Sequence, residues 1–279
     1  MAATKLSFTP KDVMALREKT GLGMMDCKAA LTEANGDMKL AEEILRTKLK
    51  GKMDTRTERV TAEGRIGIAI NGADAAIVEI RTETDFTARN PEFQKLVEDV
   101  ANAALKLPAG PIKPDAAMTK RIDDVRIKTG ENVNFARGER LKGGSYGSYL
   151  HHDGKRGALV QIDGPPSPAG SGGLDQATLN GIATHVVGYH PTPIGLSAAD
   201  VPAEIVAKIR AEAIAEAKET GKPEPIAQKM ADGRVNKYLK ENTLLDQPYV
   251  KDATGKKMVK ELLPKGVTIK RFVRYVVGG

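Results

Sequence analysis

Apolar positions between Thr9 and Gly36 fall at helical intervals. Thr9-Pro10-Lys11-Asp12 reads as a cap, a proline at the first helical position and an acidic first turn, and Val13 and Leu16 follow until Gly21 stops the run. MMDCKAALTEANG continues as a second helix that stops at Asn35-Gly36, and Asp37 caps a third carrying Leu40, Ala41, Ile44 and Leu45. The prediction is a three-helix module over residues 1–50. Over 51–63 the pattern lapses into a charged stretch, as in a linker or an exposed helical connector.

The period then changes to two. Ile66, Ile68 and Ile70 alternate before Asn71-Gly72, and Ala76, Val78 and Ile80 alternate after it, which predicts a β-hairpin. Asn90-Pro91 opens a helix with Phe93, Leu96, Val97, Val100, Ala101 and Ala104 on one face. Beyond the proline-broken LPAGPIKPDAAM a charged stretch leads to GENVNFARGERL, where Val133 and Phe135 alternate as in a third strand. The order then recurs: GSYGSYLHHDGKRGALVQI as a hairpin turning near Asp153-Gly154, LDQATLNGIATHVVGY as a helix and VTIKRFVRYVV as a late strand. Two helical patterns, Ala203 to Thr220 and Pro225 to Glu241, are joined at Gly221-Lys222-Pro223 and read as an inserted hairpin. The expected class is α+β, with one subdomain over 64–142 and a related one over 143–279 that carries the helical hairpin at about 203–241. Residues 163–173, DGPPSPAGSGG, read as a mobile loop.

Composition changes this picture only modestly. Lys plus Arg number 43 against 36 Asp plus Glu, a net charge of +7 that favours a polyanionic partner, and Lys256, Lys257, Lys260, Lys265, Lys270, Arg271 and Arg274 bias the C-terminal end. A basic RNA- or ribosome-associated protein is therefore an alternative. With no Trp, five Phe and six Tyr there are few rings for base stacking, so direct nucleic-acid binding is not expected. The one cysteine, Cys27, forms no internal disulfide and suits a buried position in a reducing compartment. No apolar run approaches the roughly 20 residues that span a bilayer, so a cytoplasmic protein away from membranes is expected.

Nor does a catalytic constellation emerge. His151-His152-Asp153 lacks a third ligand, and adjacent strand residues face opposite sides. Gly255-Lys256-Lys257 lacks the first glycine of a phosphate-binding loop, and the histidines at 151, 152, 185 and 190 have no paired nucleophile. No enzyme activity, cofactor or metal is expected. Met24 and Met25 lie about 100° apart around their helix, so one is left for a partner. Phe86 stands on a predicted loop between a strand ending near Thr84 and the Asn90 cap. On physics alone, packing beneath the helix is favoured over display to a partner, and both readings stand at this point.

Taken together, TGLGMMDCKAALTEANGD, TETDFTARNPEF, GSYLHHDGKRGALV, GKPEPIAQKMADGRVNKYLKE, LLDQPYV and FVRYVVG resemble, in order and over nearly the whole chain, the bacterial elongation factor Ts family. These are guanine-nucleotide exchange factors of translation elongation. The resemblance implies a ubiquitin-associated-like three-helix module, two related α+β core subdomains and an antiparallel coiled-coil hairpin. It implies elongation factor Tu, GDP-bound and nucleotide-free, as partner, with no cofactor of the chain's own and no covalent chemistry. Thr84, Asp85, Phe86 and Thr87 would be the segment that dislocates the partner's magnesium; Met24, Met25 and His151 would bind the partner. Thr87 stands where the family commonly has an apolar residue. The helical hairpin offers Val206, Ile209 and Ala213 beside Val235, Tyr238 and Leu239 as a seam for self-association.

Overall fold

The computed structural model describes residues 7–168 and 174–279. Its N-terminal helices follow the local signals closely. Helix α1 (Pro10–Thr20) begins with reciprocal bonds, Thr9 N–H to Asp12 Oδ2 at 2.7 Å and Asp12 N–H to Thr9 Oγ1 at 3.4 Å, and ends at Gly21 with φ 70°. Helix α2 (Met24–Glu33) is closed by Asn35 and Gly36 at φ 50° and 87°. In α3 (Met38–Asp54) the first amides, of Lys39 and Leu40, donate to Asp37 Oδ1. Val13, Leu16, Cys27, Ala30, Leu31, Ala41 and Leu45 form the shared core.

The stretch expected as a linker or an exposed helical connector begins as helix and continues as an anchored segment. Helix α3 runs past residue 50 to Asp54, and the segment after it is tied down: Arg56 Nη1 donates to Gly130 O at 2.7 Å, and Asn132 Nδ2 donates to the carbonyls of Thr57 and Arg59.

Strands β1 (Glu63–Asn71) and β2 (Asp74–Thr82) make the predicted hairpin. After them come the single turn α4 (Asp85–Arg89), α5 (Pro91–Ala104), the two-residue β3 (Gly110–Pro111), α6 (Ala116–Thr129) and β4 (Asn134–Lys142). The antiparallel sheet has the order β1-β2-β4-β3. Strands β5 (Ser145–Leu150) and β6 (Arg156–Ile162), helix α7 (Gln176–Gly188), and β7 (Ile269–Val276) build a second sheet of order β5-β6-β7 with one helix.

The two sheets lie back to back with helices outside. Ala76, Val78 and Ile80 face Phe93, Leu96, Val100, Met118 and Ile122 of α5 and α6. From the other face, Ile66, Ala75 and Ile77 meet Tyr146, Leu159 and Val273 of the second sheet. The second sheet turns Ala158, Val160 and Ile162 onto Leu179, Ile182 and Val186 of α7. β2 is thus covered on both faces, which is why its burial does not alternate.

Helix α6 occupies a stretch where the hydrophobic pattern predicts none. Its inward positions include Asp123 and Arg126, which pair with each other at 3.0 Å, while Lys50 of α3 reaches Asp123 at 2.9 Å. Met118, Ile122 and Val125 keep a narrow apolar stripe against the sheet, while the ion-paired Asp123 and Arg126 beside it are turned to α3.

Helices α8 (Ala203–Glu219) and α9 (Glu224–Asn242) pair as an antiparallel hairpin. The buried seam is mostly alanine: Ala213, Ala217, Ala227 and Ala231 with Val235, whereas Val206, Ile209, Tyr238 and Leu239 are half-buried. At the hairpin's base His185 is fully buried: Val250 N–H donates to its Nδ1 at 3.1 Å, so Nε2–H donates to Gln247 Oε1 at 2.9 Å. Burial pushes its pKa below the usual histidine range, against the Gln247 bond. Of the predicted loop 163–173, residues 169–173 lie outside the described residues, and its ends are bridged by Ser167 N–H to Leu174 O at 2.8 Å.

Candidate functional site

The segment after β2 is a tight corner, not a loop. Thr84 is extended (φ −122°, ψ 156°), and its Oγ1 accepts the Thr87 amide at 3.3 Å, starting the single turn of α4. Asn90 caps the next helix through Glu92 N–H to Oδ1 at 2.8 Å, with Pro91 in its first turn. Two caps so close together force a short, defined turn. Its geometry sends Thr87 inward, 8% exposed, and leaves Phe86 outside with 83% of its surface in solvent. The packing reading of this ring is therefore replaced by display: α4 buries the two residues that follow Phe86, Thr87 and Ala88, and turns the ring away. Asp85, beside it, pairs with Arg89 at 3.2 Å one turn on.

What holds the corner lies 47 residues further along the chain. The Glu131 carboxylate accepts Thr84 Oγ1–H at 2.6 Å, Thr84 N–H at 3.1 Å and, 49 residues from its partner, Thr82 Oγ1–H at 2.7 Å. Partial burial alone would raise its pKa, yet these bonds and the Thr87 hydroxyl hold it below the usual carboxylate range. A threonine at the inward position is thereby given a polar partner. Glu83 accepts the Asn132 amide at 2.6 Å and pairs with Arg59 at 3.4 Å. No spacing in the sequence connects residues 82–84 with 131–132, so this cluster was not foreseen.

His151 and His152 follow the end of β5, in the turn before β6 rather than on a strand, and their rings lie 4.2 Å apart. Tyr149 Oη and His151 Nδ1 are 2.8 Å apart, which orients that ring. Asp153 accepts from Lys155 N–H and Arg156; despite some burial, these bonds keep its carboxyl below the usual range. The turn docks onto β1 through Ile66 N–H to Gly154 O at 2.8 Å. Gly154 has φ 70°, a left-handed conformation that favours glycine, and the Arg65 guanidinium lies against it. The turn and α4 face each other across a hollow of about 290 Å³, lined by Arg65, Asp85, Arg89, His152, Asp153 and Lys155. The fold thus brings two of the predicted segments to one surface.

Met24 and Met25 open α2 behind Gly23, which offers no side-chain cap. One of the two was expected to face a partner; both are exposed, at 50% and 74%, beside a core that uses neither. Among the described residues no cluster of three or more His, Cys, Asp or Glu side chains is arranged to hold a metal, and no helix is long and apolar enough to cross a membrane.

The profile of the family described as Elongation factor TS matches residues 83–279. Elongation factor Ts of Acidovorax sp. (strain JS42) is 42% identical, over 98% of this chain and 91% of its own length. That of Paracidovorax citrulli is 39% identical over the same shares, and that of Methylococcus capsulatus 40% identical over 98% of this chain and 93% of its own.

Proposed function

The chain belongs to the elongation factor Ts family, translation factors that promote exchange of GDP for GTP on elongation factor Tu, and from that premise we propose that it acts through the α4 corner. Phe86 enters the partner near its magnesium and phosphate site, Asp85 makes the adjoining polar contact, and Thr84 and Thr87 shape the turn. The observation that carries this reading is a phenylalanine ring almost wholly in water on a doubly capped corner. An exposed ring on a preorganised support loses little conformational freedom on insertion.

Exchange then follows from linkage. If insertion and bound GDP with magnesium exclude each other, the factor weakens GDP binding by the ratio by which GDP weakens the factor's. The chain lowers a release barrier, forms no covalent bond and leaves the GDP–GTP equilibrium unchanged. Met24 and Met25 supply an apolar grip from the helical module, and the oriented His151 a contact from the turn across the hollow.

We read residues 1–50, 64–142 and 143–279 as helical module, first subdomain and second subdomain, the last two related by their common order of hairpin, helix and later strand. A cytoplasmic setting fits the buried, unpaired Cys27. Lys260, Lys270 and Arg271 pair with Asp246, Asp163 and Glu139, a mixed surface that argues against direct nucleic-acid binding. Since the alanine seam closes within the helical hairpin, self-association would use exposed Ile226 and Met230, and sedimentation of an Ile226→Glu variant tests it.

The deciding experiment is stopped-flow release of labelled GDP from elongation factor Tu. Phe86→Ala is expected to lose about 30-fold of the acceleration, the equivalent of ~2 kcal/mol for an anchoring ring, with thermal stability unchanged. Undiminished release in a folded variant overturns the role of the ring.

A further inference from the structure

We propose that Glu131 is a positioning residue for exchange: its carboxylate sets the direction in which Phe86 is presented. This rests on the reading of Phe86 given above and assigns a role to a residue outside every motif in the resemblance. Glu131 stands just after α6, behind Gly130, whose φ of 69° closes that helix. From there one oxygen takes the Thr82 hydroxyl and the Thr84 amide, and the other takes the Thr84 hydroxyl. The same Thr84 oxygen caps α4 at the Thr87 amide. A single side chain thus fixes the last residue of β2, the cap of α4 and, through the cap, the turn bearing Phe86.

The chemistry favours a carboxylate. The Thr84 amide and the hydroxyls of Thr82, Thr84 and Thr87 converge on it, and bonds to an ionised acceptor are roughly twice as strong as neutral ones. Its hydrogen bonds go to Thr82, Thr84 and Thr87, so its effect on a partner passes through the corner. Loss of the carboxylate would leave the Thr84 amide and the Thr82 hydroxyl without their acceptor in a half-buried site. The turn then unwinds, and the ring samples directions that do not insert.

The test has two arms. In the free protein, amide hydrogen exchange at Thr87 and Ala88 is expected to quicken at least about tenfold in Glu131→Ala, as a cap bond of this kind is lost, with the α5 amides unchanged. In GDP release from elongation factor Tu, Glu131→Ala should lower the saturating rate about tenfold and shift the half-saturating concentration by less than about twofold, because positioning acts on the step and not on the grip. Glu131→Gln, which keeps one acceptor oxygen, should recover part of the rate. In a Phe86→Ala background, Glu131→Ala should cause no further loss.

Wild-type exchange protection and release in folded Glu131→Ala overturn the proposal, as does an undiminished loss in the Phe86→Ala background. Should Glu131→Ala fail to fold, Glu131→Gln and Thr82→Val carry both arms, with smaller losses expected and wild-type values in both overturning it. If Phe86→Ala alone leaves release intact, the ring's role fails, while the hydrogen-exchange arm still reports whether Glu131 holds the corner.

Discussion

Between Thr82 and Pro91, and again between Ile162 and Gln176, an outgoing strand hands the chain to a helix whose first turn is capped by a side chain, Asn90 or Asp175. Both strands also break register at a buried polar residue just before the handover, Glu79 in β2 and Gln161 in β6. There the likeness ends. Glu79 is a fully buried carboxylate held by Arg81 at 2.6 Å, Arg137 at 2.7 Å and the Gly278 amide at 3.0 Å. Gln161 is a neutral amide donating to the carbonyls of Gly143 at 2.7 Å and Lys142 at 3.0 Å. After Glu79 comes a clamped turn that displays a ring; after Gln161 comes DGPPSPAGSGG, whose described ends carry an Asp163–Lys270 pair, the Thr268 hydroxyl on Asp163 and backbone bonds of Asp163 and Ser167. A charged acceptor precedes the turn that displays the ring, and a neutral amide precedes the longer segment.

That contrast can be broken in order of expected effect. Glu79→Ala leaves two guanidinium groups without their shared acceptor and should cost about 3 kcal/mol in urea unfolding. Gln161→Leu, which strips an amide donor from two carbonyls, should cost about 1–2 kcal/mol by the same measurement. Equal losses would remove the distinction between the strands. Asn90→Ala removes the α5 cap and should cost about 1 kcal/mol, and it should slow GDP release because the same residue bounds the Phe86 turn.

The smallest effect concerns acid. Bonds from the Thr178 amide and hydroxyl hold the Asp175 carboxyl below its ordinary 3.8. With the folded pKa depressed, the cap's contribution is present above the unfolded value and lost as pH falls through the folded one. Asp175→Asn should therefore match wild type more closely at pH 3 than at pH 6 in unfolding midpoint, whereas Asn90 caps without this dependence.

Legibility followed the range of the interactions. The caps at Thr9, Asp37 and Asn90 and the Asn71-Gly72 turn are made by residues within a few positions of one another, and each stands where the spacing placed it. Helix α6 follows the proline-broken LPAGPIKPDAAM, and its narrow stripe of Met118, Ile122 and Val125 is flanked by charged residues, Asp123 and Arg126, that are buried as well. The single turn α4 is too short for any periodicity, so Phe86 could be placed between two elements but not aimed. The Glu131 cluster joins residues nearly fifty positions apart, which no local pattern encodes.

The segment between α3 and β1 gives the molecule a mechanical character. Arg56 grips the Gly130 carbonyl, Asn132 grips the carbonyls of Thr57 and Arg59, and Arg59 returns to Glu83, next to Thr84. Residues 130–132 are thus a fulcrum at which the N-terminal helices and the Phe86 turn bear on the same few atoms. A tether would let Met24 and Met25 drift relative to the ring. These struts oppose that drift with bonds made within the chain itself.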